Sequence, residues 1–182
     1  SKITILDLLR HRAGIFDLGN DNVPDTVCVD VPYKGINYVS YVLATEPDHT
    51  FHFDELVGVL AHTRLSYFAP GSGYHYSNTG YAILGWIIER VTGMSYKEFL
   101  EEKVLKPMGM DNSYMPVLGT DRIMTSPSVN GYLFFKGDSL ELKEDNVSAQ
   151  VAEGNIVTTP DDLARFIQKL LSGKGVLNYY TV

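Results

Sequence analysis

Apolar residues recur at steps of three and four along several stretches of the chain, the spacing that predicts amphipathic helices. Shorter stripes of this kind predict helices at residues 4–11, 38–45 and 53–62. The clearest predicted helix covers residues 79–92 and is followed by Gly93, a frequent stop signal. Its apolar stripe consists of Tyr81, Leu84, Ile88 and Val91.

Two further predicted helices carry signals at both ends. Ser95 with Glu98 three residues later forms a capping box, and Pro107 is expected to end that helix. Thr159 and Pro160 predict the start of the last helix, where Asp161 and Asp162 suit the positive end of the helix dipole, and Gly173 closes it. The apolar stripe of this helix consists of Leu163, Phe166, Ile167, Leu170 and Leu171.

Strand signals are confined to one region. The apolar run that begins at Tyr132, the Gly137-Asp138 pair and the alternating Leu140 and Leu142 predict a β-hairpin over residues 132–142. The segments between the first two helices and between Met110 and Tyr132 are long for a self-contained domain. We therefore expect residues 1–182 to form one partial domain of a larger fold.

Composition narrows the class of protein. The chain has 182 residues, of which 45% are apolar, and a formal net charge of −7. An acidic chain without a basic run lacks the electrostatic footprint of a nucleic-acid-binding protein. The apolar runs are too short to span a membrane. The single cysteine, Cys28, cannot form an internal disulfide and cannot hold zinc alone.

The segment 68–80 holds the candidate chemistry, because a glycine-rich turn precedes a short extended stretch and a helix start. Alternate residues of an extended stretch share a side, so Tyr76 and Asn78 should face one way and Ser77 the other. A phenol beside a carboxamide offers a proton-transfer group next to a hydrogen-bonding group. The alternative interpretation is that Asn78 only caps the following helix and Tyr76 packs with its hydroxyl at the surface.

Five blocks of the chain resemble, in order, the serine β-lactamase and penicillin-binding-protein-like superfamily, in the branch of class C β-lactamases, D,D-carboxypeptidases, D-aminopeptidases and related esterases. Tyr76-Ser77-Asn78 is similar to the Tyr-x-Asn motif of that branch, whereas Arg12-Ala13 replaces its usual Thr-Ser. The blocks are residues 4–15, residues 68–71 with 76–81, residues 85–93, residues 107–110, and residues 152–155 with 158–163.

The resemblance implies an α/β parent fold, the β-lactamase/transpeptidase-like fold, of which this chain covers mainly the helical region. It implies a serine hydrolase that acts through an acyl-enzyme on a β-lactam, a D-amino-acid peptide or an ester, without a cofactor. Tyr76 would be the catalytic proton shuttle and Asn78 would bind the substrate. The resemblance also implies a periplasmic or extracellular location.

Two departures from the superfamily bear on activity. No serine in the chain is followed by lysine at the Ser-x-x-Lys spacing of the nucleophile motif, and the third motif should lie beyond Val182. A tyrosine with a pKa near 10 becomes a base at pH 7 only if cations lower that pKa by ~3 units, or roughly 4 kcal/mol. Those cations belong to the missing motifs. We therefore expect a central fragment that is inactive alone and has no nucleophile of its own.

Other hypotheses are weaker. A metal site is disfavoured because the histidines lack partners at ligand spacing, and Gly71-Ser72-Gly73 lacks the lysine of a phosphate-binding loop. Trp86 and the tyrosines could line a carbohydrate groove, but aromatic residues at helical spacing more often form a core. A non-catalytic ligand-binding or scaffolding module of the same fold stays an alternative. Apolar helix faces left without cover would favour self-association.

Overall fold

The structure is a computed structural model that describes residues 2–125, 127–142 and 144–176. Helices dominate it, as the apolar periodicity predicts. A π-helical turn (Glu101–Leu105) and a 3-10 turn (Ser148–Gln150) supplement the regular elements. The α-helices and β-strands, in chain order, are α1 (Ile5–Leu9), α2 (Tyr38–Thr45), α3 (Phe53–Thr63), α4 (Asn78–Thr92), α5 (Tyr96–Leu100), α6 (Lys106–Met108), β1 (Gly131–Phe135), β2 (Asp138–Leu142) and α7 (Pro160–Leu171).

Helix α4 lies at the centre of the helical packing and contacts α1, α3 and α5. The Ser77 side chain caps its start by accepting a hydrogen bond from the Gly80 backbone N–H at 3.1 Å. Gly93 ends it in the left-handed conformation, with φ of 72°. The predicted helix and its stop signal are confirmed, and the helix starts one residue earlier than predicted.

The prediction that Pro107 ends the helix after Ser95 is wrong. The capping box of Ser95 and Glu98 is present, and helical structure then continues through the π-helical turn and Pro107 to Met108. Proline cannot donate the hydrogen bond that a regular helix needs, and a widened turn directly before it accommodates that loss. The left-handed Gly109, with φ of 69°, is the actual stop.

The predicted hairpin is confirmed, with a shift in its turn. β1 pairs with β2 in antiparallel register, and Phe135 lies opposite Asp138. The two turn residues are therefore Lys136 and Gly137, with φ of 52° and 94°, rather than Gly137 and Asp138. A type I′ turn, whose backbone twist matches the twist of the paired strands, requires positive φ at both of these positions. The hairpin projects with most of its side chains exposed.

The long segment between α1 and α2 is packed rather than loose. It supplies more than half of the main core cluster. The rest comes from α2, α3 and α4, from Phe51 just before α3, and from Ala149 in the 3-10 turn. The core residues from this segment are Phe16, Leu18, Val23, Val27, Val31 and Tyr33. A second cluster joins the α5–α6 region to α7 through Phe166 and Leu170.

One face of α7 has no cover among the described residues. Leu163 and Ile167 are each 47% exposed and Leu171 is 82% exposed, although all three belong to the predicted apolar stripe. The expectation that an apolar helix face would stay uncovered is confirmed for α7. No helix within the described ranges has the length and apolar character needed to cross a membrane.

Candidate functional site

The Tyr76–Asn78 segment lies at the start of α4, and its three residues differ in burial and in their relation to the helix. Ser77 is buried and caps the helix, whereas Tyr76 is half exposed. Asn78 is the first helical residue, so the interpretation that Asn78 caps α4 is wrong. Within the described residues its backbone N–H is hydrogen-bonded to Asp17, and no hydrogen bond of its carboxamide is found.

The buried carboxylate of Asp17 holds this segment in place by hydrogen bonding. It is 1% exposed, and its Oδ1 atom accepts hydrogen bonds from the Gly19 and Asn20 backbone N–H groups at 3.0 and 3.2 Å. Its Oδ2 atom accepts from the Asn78 backbone N–H and from Asn20 Nδ2, both at 3.0 Å. A buried carboxylate with four donors is well satisfied, and it fixes the Asn78 backbone relative to the loop after α1.

His11 contacts both Tyr76 and Ser77. Its Nδ1 atom accepts a hydrogen bond from the Ser77 backbone N–H at 3.2 Å. Its ring centroid is 4.5 Å from that of Tyr76 and 5.0 Å from that of Tyr81, against which it stacks. The Tyr81 hydroxyl in turn donates to the Leu9 carbonyl at 3.1 Å.

A second polar cluster adjoins the site. The rings of His75 and Tyr67 stack with centroids 3.7 Å apart, and the Tyr67 hydroxyl donates a short hydrogen bond to the Asp21 carboxylate. Burial and this bond raise the pKa of Tyr67 well above its ordinary value. The Tyr67 oxygen also accepts from the Asp17 backbone N–H at 3.0 Å, which ties the cluster to the Asp17 loop.

The electrostatics of Tyr76 work against a phenolate in this chain. Burial raises its pKa above the ordinary 10.0, and the negative charges of Asp17 and Glu153 raise it further. Burial and the neighbouring Asp17 likewise raise the pKa of Glu153 to about 8. This environment therefore disfavours ionisation of Tyr76 and Glu153, and a base at Tyr76 needs positive charge from elsewhere.

A small cavity of about 70 Å³ lies beside Asn78. Glu153 and Asn20 contribute polar groups to its wall, together with Gln150 from the 3-10 turn. Sequence reasoning identified Tyr76 and Asn78 but missed Asp17 and Glu153, which lie 61 and 75 residues from Asn78 in the chain. No spacing rule joins residues so far apart. The available signals were a carboxylate two residues after the first resembling block, at Asp17, and a carboxylate where the superfamily has glycine, at Glu153.

The other candidate groups lie away from this site. His49 contacts the carboxylates of Glu46 and Glu55, at 3.2 and 3.0 Å. Among the described residues, no three His, Cys, Asp or Glu side chains are arranged to hold a metal ion. Trp86 lines a separate cleft of about 580 Å³ and lies under the Arg90 guanidinium, 5.0 Å from the ring centroid.

Comparison with known proteins assigns the family. The model of the Beta-lactamase family matches residues 1–179. The chain belongs to this family. A penicillin-binding protein of Bacillus subtilis is 29% identical over 189 residues, which cover 90% of this chain and 41% of that protein. A D-aminopeptidase of Brucella anthropi is 32% identical over 72 residues, which cover 40% of this chain and 14% of that protein.

Solved structures of this family confirm the β-lactamase/transpeptidase-like fold. A D-stereospecific amidohydrolase from Streptomyces superposes with a TM-score of 0.79 and 27% sequence identity. The match covers 99% of this chain and 49% of that structure. The matches of this β-lactamase-family chain therefore span 49% of the Streptomyces structure, 41% of the Bacillus protein and 14% of the Brucella protein.

Proposed function

We propose that the chain is the central part of a serine hydrolase that cleaves amide or ester substrates through an acyl-enzyme, with the nucleophile motif outside residues 1–182. The observation that carries the proposal is the Tyr76–Asn78 pair at the start of α4, where Asp17 holds the Asn78 backbone and the Tyr76 phenol is half exposed. Membership in the Beta-lactamase family supports it.

In this proposal Tyr76 carries the proton between the nucleophile and the leaving group, and Asn78 binds the amide or ester portion of the substrate. The raised pKa of Tyr76 matters here, because a phenol that stays protonated at neutral pH cannot accept the nucleophile's proton. A cation must lower that pKa by at least ~3 units, or roughly 4 kcal/mol. We propose that residues outside this chain supply it, and that the chain alone is inactive.

The substrate class that we propose is a β-lactam, a D-amino-acid peptide or amide, or an ester. The names of the Bacillus penicillin-binding protein, the Brucella D-aminopeptidase and the Streptomyces D-stereospecific amidohydrolase support this range.

Covalent labelling of the native gene product that contains this chain tests the proposal. A fluorescent β-lactam should acylate one serine outside residues 1–182, and Tyr76→Phe should slow that acylation by at least ~100-fold, the usual range for general acid–base catalysis. Tyr74→Phe is the matched control, because Tyr74 is an exposed tyrosine of the same loop. It should acylate at the parental rate.

Residues 1–182 alone should neither become labelled nor hydrolyse a chromogenic cephalosporin above a heat-denatured sample. Acylation of a serine within residues 1–182 would show that the nucleophile assignment is wrong. A native product that binds the β-lactam reversibly without acylation would instead support the ligand-binding module.

A further inference from the structure

His11 makes two hydrogen bonds that bracket Tyr76. The His11 carbonyl accepts from the His75 backbone N–H at 3.0 Å, and its Nδ1 atom accepts from the Ser77 backbone N–H at 3.2 Å. These are the residues directly before and after Tyr76. His11 therefore fixes the backbone on both sides of Tyr76, although the two segments are more than 60 residues apart in the chain.

The imidazole also sets the position of the phenol ring. Its centroid lies 4.5 Å from that of Tyr76, with the two rings tilted by 36°, and 5.0 Å from that of Tyr81, against which it stacks. Tyr74 approaches the same ring edge-on at 6.1 Å. Tyr81 belongs to the first turn of α4, and its hydroxyl donates a hydrogen bond to the carbonyl of Leu9, the last residue of α1. The contacts among these rings therefore connect the Tyr76 phenol to both helices.

The backbone of His11 has an unfavourable conformation that this arrangement requires. Its φ is 54°, in the left-handed region that β-carbon-bearing residues seldom occupy. Such conformations persist where surrounding contacts determine them, and they cluster at functional sites. Arg12, the next residue, also holds the segment before α4. Its carbonyl accepts a hydrogen bond from the Gly71 N–H and its guanidinium donates one to the Gly71 carbonyl, both at 2.8 Å.

We propose that His11 is a positioning residue for Tyr76, which acts through the acceptor atom Nδ1 and not through proton transfer with the substrate. This inference rests on the proposed function of Tyr76. Because Nδ1 accepts a backbone N–H, the proton of the neutral ring lies on Nε2. The ring thereby fixes the Ser77 amide and the phenol together, so that the phenol is ordered before substrate binds.

Two substitutions separate the acceptor from the ring. His11→Asn keeps an acceptor near the place of Nδ1 and tolerates the left-handed backbone, but it loses the ring. His11→Phe keeps an aromatic ring in contact with Tyr76 and Tyr81 and loses the acceptor. His62→Phe is the matched control, because His62 is an exposed histidine in the last turn of α3.

The first measurement is amide hydrogen exchange at Ser77, read against the amides of α3 in the same sample. In the native product, His11→Phe should raise Ser77 exchange by roughly tenfold, the size expected for loss of one hydrogen bond, while α3 exchange stays unchanged. His11→Asn and His62→Phe should stay within about threefold of the parent. Equal Ser77 exchange in His11→Phe and the parent would overturn the proposal.

The second measurement is acylation of the native product by a fluorescent β-lactam at several concentrations. His11→Phe should lower the maximal acylation rate with little change in the half-saturating concentration, and His11→Asn should recover most of that rate. Equal loss in both variants would overturn the role of the acceptor. If the parent itself is not acylated, the proposed function fails, while Ser77 exchange still decides whether His11 positions the loop.

Discussion

The Asn78 backbone N–H donates to Asp17 Oδ2 at 3.0 Å, although the two residues are 61 positions apart. This bond joins the loop after α1 to the first residue of α4, and it sets where the Asn78 carboxamide projects. The Asp17 carboxylate is buried and already holds its own loop through Gly19 and Asn20. The geometry of the candidate site therefore depends on a buried residue outside the Tyr76–Asn78 segment.

Replacement of Asp17 should destabilise the protein and disorder the site together. Asp17→Ala leaves four donors without an acceptor, so we expect the free energy of unfolding to fall by about 3 kcal/mol. Asp17→Asn should restore only part of this, because an amide has one acceptor oxygen where the carboxylate has two. Urea denaturation measures both variants, and Asp30→Ala, at an exposed carboxylate outside the helices and strands, is the control. An unchanged midpoint for Asp17→Ala would contradict the assignment.

Tyr76 in residues 1–182 should ionise above pH 10. Burial raises its pKa first, and the carboxylates of Asp17 and Glu153 add to that effect. The difference between the phenolate absorbance of the parent and of Tyr76→Phe isolates this tyrosine. Glu153→Gln should lower the midpoint, because it removes one of the negative charges, whereas Glu144→Gln should not. A midpoint below 10 in the parent would show that this part of the molecule already supplies the missing positive charge.

Glu153 should make stability depend on pH in the direction opposite to a paired carboxylate. Its pKa is raised from 4.5 to about 8 by burial and by Asp17. Between these values the folded chain retains a proton that the unfolded chain releases, so the free energy of unfolding falls as pH rises through this window. The loss should reach a few kcal/mol, at about 1.4 kcal/mol per pKa unit.

Glu153→Gln removes this titration, so its stability should fall less than that of the parent between pH 4.5 and pH 8. Thermal melts at several pH values measure the difference, with Glu144→Gln as the control at an exposed glutamate. A parent whose stability rises across this window, with no difference from Glu153→Gln, would refute the assignment.

Gly14 and Gly58 should respond to alanine with opposite signs. Gly14 has φ of 72°, and an added Cβ would lie 2.1 Å from the Phe68 carbonyl oxygen. Gly14→Ala should therefore destabilise by more than about 2 kcal/mol. Gly58 lies on the exposed side of α3 with no atom near its Cβ position, so Gly58→Ala should stabilise by roughly 0.5–1 kcal/mol. Chemical denaturation of both variants tests this contrast, and equal effects would contradict it.

The exposed face of α7 should drive self-association of residues 1–182. Leu163, Ile167 and Leu171 lie at successive steps of four on this helix and are substantially exposed. Replacing all three with Gln should shift sedimentation toward the monomer, whereas Ile123→Gln, at an exposed site outside the helix, should not. A parent chain that sediments as a monomer at all concentrations would contradict this prediction.

Elements that carry their signals locally could be predicted from the sequence. The capping box of Ser95 and Glu98, the cap at Thr159 and the stop at Gly93 act over a few residues, and each occurs where the pattern indicates. Pro107 is the exception, because the π-helical turn before it depends on how α5 and α6 pack around the second core cluster. Local propensity is a weak prior against such tertiary packing.

The sequence by itself determined where most helices and the hairpin lie and that Tyr76 and Asn78 are neighbours, because helix hydrogen bonds, strand alternation and motif spacing are all short-range relationships. Only the tertiary structure decided that Asp17 holds Asn78, that His11 brackets Tyr76, and that Glu153 lies close enough to raise the pKa of the phenol. These contacts join residues more than 60 positions apart, and their strength depends on burial and on distances that exist only after the chain has packed.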